Sequence, residues 1–599
     1  MSPRVCVMGV QEWGPTVVYL AENYVLTPQE VCGLIYGNSC ATPTVPTPTW
    51  TLNFPPTPRP QYLPPTQPPA VKVVYLAENY VLTPQEVCGL IYGNSCATPT
   101  VPTPTPTWTL NFPPTPRPQY LPPTQPPAVK VVYLAENYVL TPQEVCGLIY
   151  GNSCATPTVP TPTWTLNFPP TPRPQYLPPT QPPAGTEMHK VLHLTDIHLD
   201  RLYSEGSNAH CEEPMCCRDI DGEPISYFYV AGKYGSLAYC DSPKVTLENL
   251  LAKLSKEQFD YILVTGDLPA HDVWNQTIEE NLAITKFVNS LLKKYFGNST
   301  LLQAVGNHES CPVDLFVPDY MDPEKKPHPM AWLYNTLVDE WSWWLPNSTF
   351  DSIRKGGYWA WEFMPGLKVV SLNGAYGQTG DWYSIVNNSD FSGMLQWTID
   401  ELQDCEDRGI KAWLISHHRE FSLPYYTNQV DKIMQRYVNT IRGWFNGHTH
   451  TDDLTVYYDN SSTEAAPTPV LTAFTAPSVT TYSNSNMGYR VYYVDSKREN
   501  ATFFVADHTT YYLNVTKAKL TGQVVWEEEY NLKEAYNMTG ALPSDFDDLL
   551  TRMTTTPLLA QNYLYFGHKK AHNVTCDLAC AQDQASSLKH TYLPDPPTH

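Results

Sequence analysis

Long apolar runs and basic residues are both scarce in this chain of 599 residues. No segment offers the roughly 20 uninterrupted apolar residues that a membrane-spanning helix needs. The first residues, MSPRVCVMGVQEWGP, also lack the apolar stretch of a signal peptide. Because 37 Lys and Arg residues face 59 Asp and Glu residues, the formal net charge is -22. We therefore expect no nucleic-acid partner and no anionic membrane held by bulk charge.

Other features are typical of an exported protein. Clustered cysteines stand in CEEPMCC and CDLAC, and zinc binding by them is disfavoured because no second Cys/His pair follows at finger spacing. Nine N-x-S/T sequons lie beyond residue 190: Asn275, Asn298, Asn347, Asn387, Asn460, Asn500, Asn514, Asn537 and Asn573. Together they favour a disulfide-bonded glycoprotein of the secretory pathway, secreted or lysosomal. We therefore expect that the N-terminus of this sequence is incomplete or mispredicted.

Residues 17–184 consist of three nearly identical copies of one segment, which begin at Val17, Val73 and Val131. Solenoid repeats normally drift at their surfaces, so near-identity indicates a recent duplication or an assembly error. Each copy holds a short helix candidate, LTPQEVCGLIYG, followed by a Pro- and Thr-rich stretch that predicts an extended spacer. We expect no independent activity from this region, and residues 1–16 remain unassigned.

Strand and helix patterns alternate from His189 onward. KVLHLT, YILVT and LLQAV predict strands with helices between them, the first from about Pro243 with Leu247, Leu250, Leu251 and Leu254 on one face. This alternation predicts an α/β core with parallel strands. Later strands are predicted at LKVVSLN, KAWLIS, GWFNG, GYRVYYV and ATFFVAD, and SDFDDLLTRM is the best later helix. We predict a catalytic domain over residues 185–505 and a mainly helical domain over residues 506–599.

Polar side chains follow five of these predicted strands. They are Asp196 and His198, then Asp267, then Asn307 and His308, then His417, and finally His448 and His450. In an open α/β sheet such groups meet beyond the carboxyl ends of the strands. Imidazole and carboxylate ligands suit zinc, and two ions about 4 Å apart can clamp a phosphoryl group. Asp267 is the natural bridge between two such ions.

Three glycines precede these polar residues, namely Gly266, Gly306 and Gly447. We expect them to let the backbone turn sharply towards the ions. Each motif alone has a plainer interpretation. Asp267 and His271, taken by themselves, would be a capped turn with a surface histidine beside it.

The motifs DIH, GD, GNHE and GHTH, over residues 189–480, resemble those of the calcineurin-like metallophosphoesterases. Within that superfamily GDLPAHDVW, AVGNHES, FNGHTHTDD and CCR followed by YCD resemble the acid sphingomyelinase family. LTPQEVCGLIYGNSC resembles the last helix of a saposin-type domain. The resemblance implies a β-sandwich flanked by helices, an α-β-β-α arrangement, with a helical C-terminal region.

The same resemblance implies two Zn²⁺ ions that activate water for in-line attack on phosphorus. One ion would be held by Asp196, His198, Asp267 and His450, and the other by Asp267, Asn307, His417 and His448. His308 and His271 occupy the family's proton-donor positions, and an acidic lysosome would favour their protonated forms. The implied reaction converts sphingomyelin, or a related phosphodiester lipid, to ceramide and phosphocholine. A monomer in transient contact with a membrane surface is expected.

The resemblance also implies the disulfides Cys211–Cys216, Cys217–Cys240 and Cys576–Cys580, although four cysteines alone allow three pairings. Three features of this sequence depart from the family pattern. Each repeat keeps only two cysteines and one helix of a saposin-type domain, and Cys311 and Cys405 have no family partner. The family's His-Ile-Pro-Pro-Gly is replaced by HHREF, in which we expect His417 as the ligand and His418 as a solvated neighbour.

Two other functions stay open at this point. The first is the same chemistry on nucleotides or other soluble phosphodiesters. PAHDVW and the saposin-type remnant argue against it, whereas HHREF and the incomplete saposin-type region keep it open. The second is a non-enzymatic spacer array with an inactive sandwich. The presence of all seven metal positions argues against this second reading.

Overall fold

The computed structural model describes residues 164–591, apart from residues 212, 319–328, 379, 382, 384–388 and 460–466. The chain divides into two units, residues 1–159 and 160–599, and all described residues belong to the second. Residues 1–16 and most of the predicted repeats therefore lie outside the described residues. Within the described ranges, no helix combines the length and the apolarity needed to cross a bilayer.

The strands of the described residues form two larger sheets and one short pair. In chain order they are β1 (His189–Leu194), β2 (Leu199–Asp200), β3 (Ser242–Pro243), β4 (Tyr261–Val264), β5 (Thr300–Gln303), β6 (Trp359–Met364), β7 (Leu367–Ser371), β8 (Lys411–Ile415), β9 (Ile441–Asn446), β10 (Asp453–Asp459), β11 (Thr468–Thr475), β12 (Met487–Val494), β13 (Val505–Leu513), β14 (Trp526–Asn531) and β15 (Lys589–Thr591).

The helices lie between and after these strands. In chain order they are α1 (Lys244–Leu254), α2 (Ile278–Phe296), α3 (Ala331–Trp341), α4 (Phe350–Gly356), α5 (Met394–Arg408), α6 (Pro424–Arg436), α7 (Val515–Thr521), α8 (Leu532–Tyr536), α9 (Pro543–Met553), α10 (Pro557–Gly567) and α11 (Leu578–Ser587). Short 3-10 turns cover Asp219–Asp221, Tyr227–Tyr229, Asn347–Thr349 and Phe391–Gly393.

The first sheet has the order β14-β13-β12-β1-β4-β5, and the second has the order β15-β10-β11-β9-β8-β7-β6. Strands β1, β4 and β5 are parallel to one another, as are β7, β8, β9 and β11. The predicted α/β core with parallel strands is thus confirmed. In both sheets the strands that carry the predicted polar residues run parallel to one another, so their carboxyl ends share one edge.

Side chains of the two sheets pack against each other to form a sandwich. Tyr492 of β12 lies 5.1 Å from Phe445 of β9 and 5.5 Å from Phe474 of β11, measured between ring centroids. Helix α1 buries its predicted leucine face, Leu247, Leu250, Leu251 and Leu254. It begins one residue later than predicted, because Pro243 is its N-cap and pairs within β3. The fold is therefore the predicted sandwich with flanking helices and a helical C-terminal region.

The segment ATFFVAD was predicted to be a strand throughout, and this prediction is wrong for its first residues. Its first residues form a turn, because the Asp495 carboxylate accepts hydrogen bonds from the amide and hydroxyl of Thr502, at 2.9 and 2.8 Å. Strand β13 begins only at Val505 and extends the first sheet, and β14 extends it further. The domain boundary predicted after residue 505 thus falls within β13.

The last part of the third repeat lies along the catalytic unit. Residues 164–182 contain neither helix nor strand, as expected for a Pro-rich stretch. Arg173 forms an ion pair with Asp459, and the amide of Leu177 donates to Asn439 Oδ1 at 3.0 Å. This part of the predicted spacer is therefore fixed to the sandwich by side-chain contacts.

The three disulfides implied by the family resemblance are present. Cys211 is bonded to Cys216, Cys217 to Cys240 and Cys576 to Cys580. The first two lie in the long connection between β2 and β3, which has little regular structure of its own. Cross-links of this kind restrict the unfolded chain where a hydrophobic core does little to order it.

A buried ion pair ties the two sheets together. Arg490 of β12 pairs with Asp452, which immediately precedes β10, and Arg490 Nη1 also donates to the Thr475 carbonyl oxygen of β11 at 3.3 Å. The Asp452 carboxylate accepts further hydrogen bonds from Thr510 and Tyr530, at 3.0 and 2.8 Å. Both charged side chains are almost fully buried.

We expect Arg490→Met to destabilise the protein by about 3–5 kcal/mol, because it leaves the buried Asp452 carboxylate without its cation. The free energy of unfolding in denaturant would measure the loss. Arg201→Met is the matched control, since Arg201 pairs with Glu280 at the exposed surface; it should cost less than about 1 kcal/mol. Equal effects of the two substitutions would contradict a structural role for the buried pair.

Candidate metal centre and catalytic site

The predicted site residues all lie beyond the carboxyl ends of strands. Asp196 and His198 follow β1, Asp267 follows β4, and Asn307 and His308 follow β5, all in the first sheet. His417 follows β8, and His448 and His450 follow β9, in the second sheet. Both sheets of the sandwich therefore contribute to one cluster.

The first predicted ligand set is compact and buried. His198 Nε2 lies 3.3 Å from Asp267 Oδ2 and 3.1 Å from His450 Nε2. His450 Nε2 lies 3.4 Å from Asp196 Oδ1. All four residues are at most 7% exposed. Their ligand atoms thus converge on a volume from which water is largely excluded.

The second predicted set shares Asp267 with the first. His417 Nε2 lies 3.0 Å from Asp267 Oδ2, and the ligand atoms of Asp267, His417 and His448 all lie within 4.8 Å of one another. His448 is exposed, so this side of the cluster opens to solvent. Asn307 Oδ1 is buried and has no hydrogen-bond partner among the described residues. Asp267 therefore stands between the two groups, as a bridging ligand would.

The tautomers of two histidines indicate a cation. His198 Nδ1 lies 2.7 Å from the Pro269 carbonyl oxygen, and His417 Nδ1 lies 2.6 Å from that of Thr265. Each Nδ1 must carry a proton to make this hydrogen bond, so in the neutral ring Nε2 offers a lone pair. Both lone pairs then face the Asp267 carboxylate, which is also an acceptor. Only a positive charge between these atoms makes the arrangement favourable.

The pKa values of these groups also indicate that the cluster favours a bound positive charge. Burial opposes the charged form of His417, yet the nearby Asp267 carboxylate outweighs burial and raises the pKa of His417 to about 9. The Asp267 carboxyl has its pKa held well below the usual range by His417 and His308, against the effect of burial. The cluster therefore attracts positive charge, either a proton or a metal ion. The orphaned Asn307 oxygen favours a metal, because an amide oxygen binds metal ions well and does not carry a titrating proton.

The backbone around the cluster is strained. Five of the seven predicted ligands are non-glycine residues with positive φ: Asp196 (50°), His198 (40°), Asp267 (59°), His448 (74°) and His450 (58°). Such conformations are uncommon and concentrate where the surrounding structure fixes a functional side chain. A Cβ at Gly306 or Gly447 would collide with the Asp267 or Asp196 carboxylate, so the close approach of these loops to the carboxylates requires glycine.

His271 and His308 lie beside the first ligand set. The ring centroid of His271 is 3.8 Å from that of His198 and 4.6 Å from that of His308. His271 Nδ1 lies 2.9 Å from Asp241 Oδ1, and the ring stacks on Tyr482 at 3.9 Å. His271 is therefore an oriented part of the site, with Nε2 as its available nitrogen, and the alternative of a bystander on a turn is wrong.

The expected protonation of these two histidines is also wrong for the ligand-free site. Burial lowers the pKa of both His271 and His308 well below the ordinary histidine range. Local sequence could not reveal this, because the burial comes from distant segments such as the one around Tyr482. A proton donor here needs the negative charge of a bound phosphodiester to raise its pKa.

His418 is not the solvated neighbour that the sequence suggested. It is 6% exposed, its ring lies 3.9 Å from that of His448, and its Nδ1 has no hydrogen-bond partner among the described residues. The next residue, Arg419, donates to Asp453 Oδ2 at 2.7 Å. His417 remains the histidine that faces Asp267, and HHREF places a second imidazole behind His448.

Three supporting residues had no role assigned from the sequence. The Glu309 carboxylate accepts the amides of Gly306, Asp267 and Leu268, at 2.8 to 3.1 Å. Glu309 stands in GNHE and Asp241 in YCD, so each lies inside a motif that could have indicated it. Lys569 carries no such signal.

Lys569 supports the second sheet's ligand loop from the C-terminal region. It is fully buried, and its ammonium donates to the His450 carbonyl oxygen at 2.7 Å and to Ser478 Oγ at 2.9 Å. Burial lowers the pKa of Lys569 to about 8. A residue more than 100 positions away in the chain therefore stabilises the connection between β9 and β10.

Comparison with known proteins gives two family matches. A calcineurin-like phosphoesterase family model matches residues 189–452, and the acid sphingomyelin phosphodiesterase C-terminal region matches residues 468–592. Together they cover the strands of both sheets except β10, and the C-terminal helices.

Similar proteins carry related names. A sphingomyelin phosphodiesterase of Bos taurus is 38% identical over 464 residues, which are 75% of this chain and 72% of that protein. A sphingomyelin phosphodiesterase of Homo sapiens is 37% identical, over 74% of this chain and 71% of that protein. A cyclic GMP-AMP phosphodiesterase of Homo sapiens is 26% identical, over 68% of this chain and 88% of that protein.

The motif resemblance noted in the sequence is thereby confirmed. With sequence identity above 30% over more than two thirds of such relatives, the chain belongs to the sphingomyelin phosphodiesterase family of calcineurin-like phosphoesterases and is a metal-dependent phosphodiesterase.

Proposed function

We propose that this protein hydrolyses sphingomyelin to ceramide and phosphocholine with the help of two zinc ions. The single observation that carries the proposal is Asp267, a buried carboxylate that faces His198 on one side and His417 on the other. The relatives named sphingomyelin phosphodiesterase support the choice of substrate. A sphingomyelin-type lipid would be met at a membrane surface, and we propose that the enzyme acts there as a monomer.

The proposed ligands fall into two sets that share Asp267. Asp196, His198, Asp267 and His450 would hold one ion, and Asp267, Asn307, His417 and His448 the other. The four imidazoles of these sets, with carboxylate and amide oxygens, suit zinc better than magnesium or calcium, which prefer oxygen ligands alone. When bound, two such ions lower the pKa of a water molecule and neutralise the charge of the phosphate oxygens.

The protein's own part in the reaction is positioning and proton transfer. Water adds to phosphorus as the bond from phosphorus to the ceramide oxygen breaks, and that oxygen needs a proton because an alkoxide is a poor leaving group. His271 donates a hydrogen bond from Nδ1 to the Asp241 carboxylate, which leaves Nε2 for the cluster. We propose His308 and His271 as the groups that supply this proton, each charged only once the phosphodiester lies beside it.

A second candidate is hydrolysis of nucleotides or other soluble phosphodiesters by the same centre. The relative named a cyclic GMP-AMP phosphodiesterase favours it. The HHREF segment keeps it open too, because it replaces the His-Ile-Pro-Pro-Gly of the sphingomyelinase family. Chemistry at the cluster would be the same, and only the groups that contact the rest of the substrate would differ.

Passage through the secretory pathway is proposed from the disulfides and the sequons. Six of the seven sequon asparagines that the structure describes are exposed: Asn275, Asn298, Asn347, Asn500, Asn537 and Asn573. The seventh, Asn514, is half-buried and caps α7 through its side-chain oxygen, which accepts from the Lys517 amide at 2.8 Å. This leaves the Asn514 nitrogen available for a glycan. We propose a secreted or lysosomal glycoprotein.

Asp267→Asn tests the bridging role. The amide removes the shared negative charge, so we expect loss of at least one ion and a fall in phosphodiester hydrolysis of about a thousandfold. Metal content by mass spectrometry, together with hydrolysis rates, gives the answer. Asp260→Asn is the control, because Asp260 is exposed just before the opposite end of the same strand. Full metal content and full activity in Asp267→Asn would exclude a two-ion centre bridged by this residue.

Leaving-group dependence tests the proton donors. We expect His308→Gln or His271→Gln to slow sphingomyelin hydrolysis by about 10²- to 10⁴-fold, because the ceramide alkoxide departs only with a proton. Cleavage of bis(4-nitrophenyl) phosphate should change far less, since nitrophenolate leaves unprotonated. His210→Gln, at an exposed histidine, serves as the control. If neither variant separates the two substrates, the donor assignment fails.

Substrate preference separates the two candidate functions. We expect kcat/KM for sphingomyelin in mixed micelles to exceed that for a cyclic dinucleotide by about tenfold or more, as apolar contacts with the lipid contribute to binding. Release of phosphocholine and of nucleotide would be measured side by side, at acidic and at neutral pH. A preference for the dinucleotide under both conditions would favour the second candidate.

A further inference from the structure

Exposed apolar side chains are concentrated in one loop of the protein. The Cys217–Cys240 disulfide closes residues 218–239, which we call the apolar loop. Of the twelve large apolar side chains that are exposed among the described residues, this loop carries five: Ile220, Ile225, Tyr227, Phe228 and Tyr239. Ile225 is 85% exposed and Phe228 87%. Single exposed apolar residues are ordinary, but a concentration of them marks a contact surface.

The backbone of the apolar loop is anchored to the rest of the unit. The Lys519 ammonium donates to the carbonyl oxygens of Tyr227 and Val230, at 3.0 and 2.8 Å. The Tyr203 hydroxyl donates to the Gly232 carbonyl oxygen at 2.6 Å. These contacts use main-chain atoms, so the apolar side chains stay outside while the loop keeps its shape.

The C-terminal end of the apolar loop lies next to the catalytic cluster. The ring of Tyr239 lies 5.6 Å from that of Tyr482, in an edge-to-face contact, and Tyr482 stacks on His271. The Thr481 hydroxyl donates to the Cys240 carbonyl oxygen at 2.7 Å. The residue after Cys240 is Asp241, whose carboxylate orients His271. A molecule in contact with Tyr239 would therefore be separated from His271 only by the ring of Tyr482.

The charge of the apolar loop narrows the kind of partner. Arg218 and Lys233 are its basic residues, against the acidic Asp219, Asp221 and Glu223. Arg218 is buried in ion pairs with Asp200 and Asp272, so it presents little charge outward. A surface without a basic cluster does not select anionic lipids or nucleic acid. Exposed aliphatic and aromatic side chains suit insertion at the boundary between headgroups and acyl chains.

We propose that the apolar loop docks the protein onto a bilayer of zwitterionic choline lipids. Ile225 and Phe228 insert below the headgroups, and Tyr239 with Tyr482 continues the contact towards His271. The choice of choline lipids as the surface rests on the proposed function, since sphingomyelin carries that headgroup. Docking itself needs no hydrolysis and can be measured without it.

The experiment compares the full-length protein with an Ile225→Ser/Phe228→Ser double variant. Binding to vesicles of phosphatidylcholine alone, and of phosphatidylcholine with sphingomyelin, is measured by co-sedimentation. We expect the double variant to bind at least about tenfold more weakly, because two large apolar side chains are lost from the buried contact. Hydrolysis of vesicle sphingomyelin should fall in parallel, while cleavage of bis(4-nitrophenyl) phosphate should be unchanged.

A Leu558→Ser/Leu578→Ser double variant is the matched control. Both leucines are exposed, by 61% and 50%, on the C-terminal helices α10 and α11. This variant should bind vesicles as the unaltered protein does. Equal losses in the two double variants, or none in the loop variant, would overturn the proposal.

Two further outcomes would also overturn it. Binding that requires added phosphatidylserine would exclude choline lipids as the docking surface. A loop variant that changes the oligomeric state in solution but binds vesicles normally would make the loop a protein interface. Failure of the proposed function is a separate result, because an unaltered protein that binds phosphatidylcholine vesicles without hydrolysing sphingomyelin would retain the docking site and lose only its substrate.

Discussion

Two carboxylates buried at the ends of strands are the constraint on which the rest of the structure depends. Asp196 and Asp267 are at most 1% exposed, and the Nε2 atoms of His198 and His417 approach the Asp267 carboxylate. A carboxylate in such surroundings is very unfavourable unless a cation lies beside it. The strained loops, the glycines without room for a side chain and the amides aimed at carboxylate oxygens all hold these two charges in place. The fold therefore creates a site that requires a positive charge, which metal ions supply.

The support for this centre comes from both ends of the catalytic unit. The amide of His448 donates to Asp196 Oδ1 at 3.0 Å, which joins the two sheets across the cluster. Lys569, from the C-terminal region, donates a hydrogen bond to the same loop at His450. At the end of that loop, Asp452 is paired with Arg490. The region that follows the sandwich is therefore part of the support of the metal centre. This agrees with the two family matches, which together cover both parts of the chain.

Sequence reasoning succeeded where the information is local. Strands β1, β4 and β5 are short apolar runs followed at once by polar residues, so both the parallel sheet and the cluster at its edge could be predicted. It failed where a distant group decides the outcome. The Asp495 side chain turns residues 501–504 away from a strand, and packing against Tyr482 and other remote residues lowers the pKa of His271. The role of Lys569 likewise depends on which segments meet, which no single stretch of sequence states.

The Cys217–Cys240 disulfide has a consequence beyond the loop that it closes. It closes the loop that carries the exposed apolar side chains, and its second cysteine is the immediate neighbour of the aspartate that orients His271. Reduction of one bond would loosen both the surface and the aspartate while leaving the seven ligand positions untouched. One covalent bond therefore constrains both the exposed apolar surface and the aspartate beside the proposed proton donor.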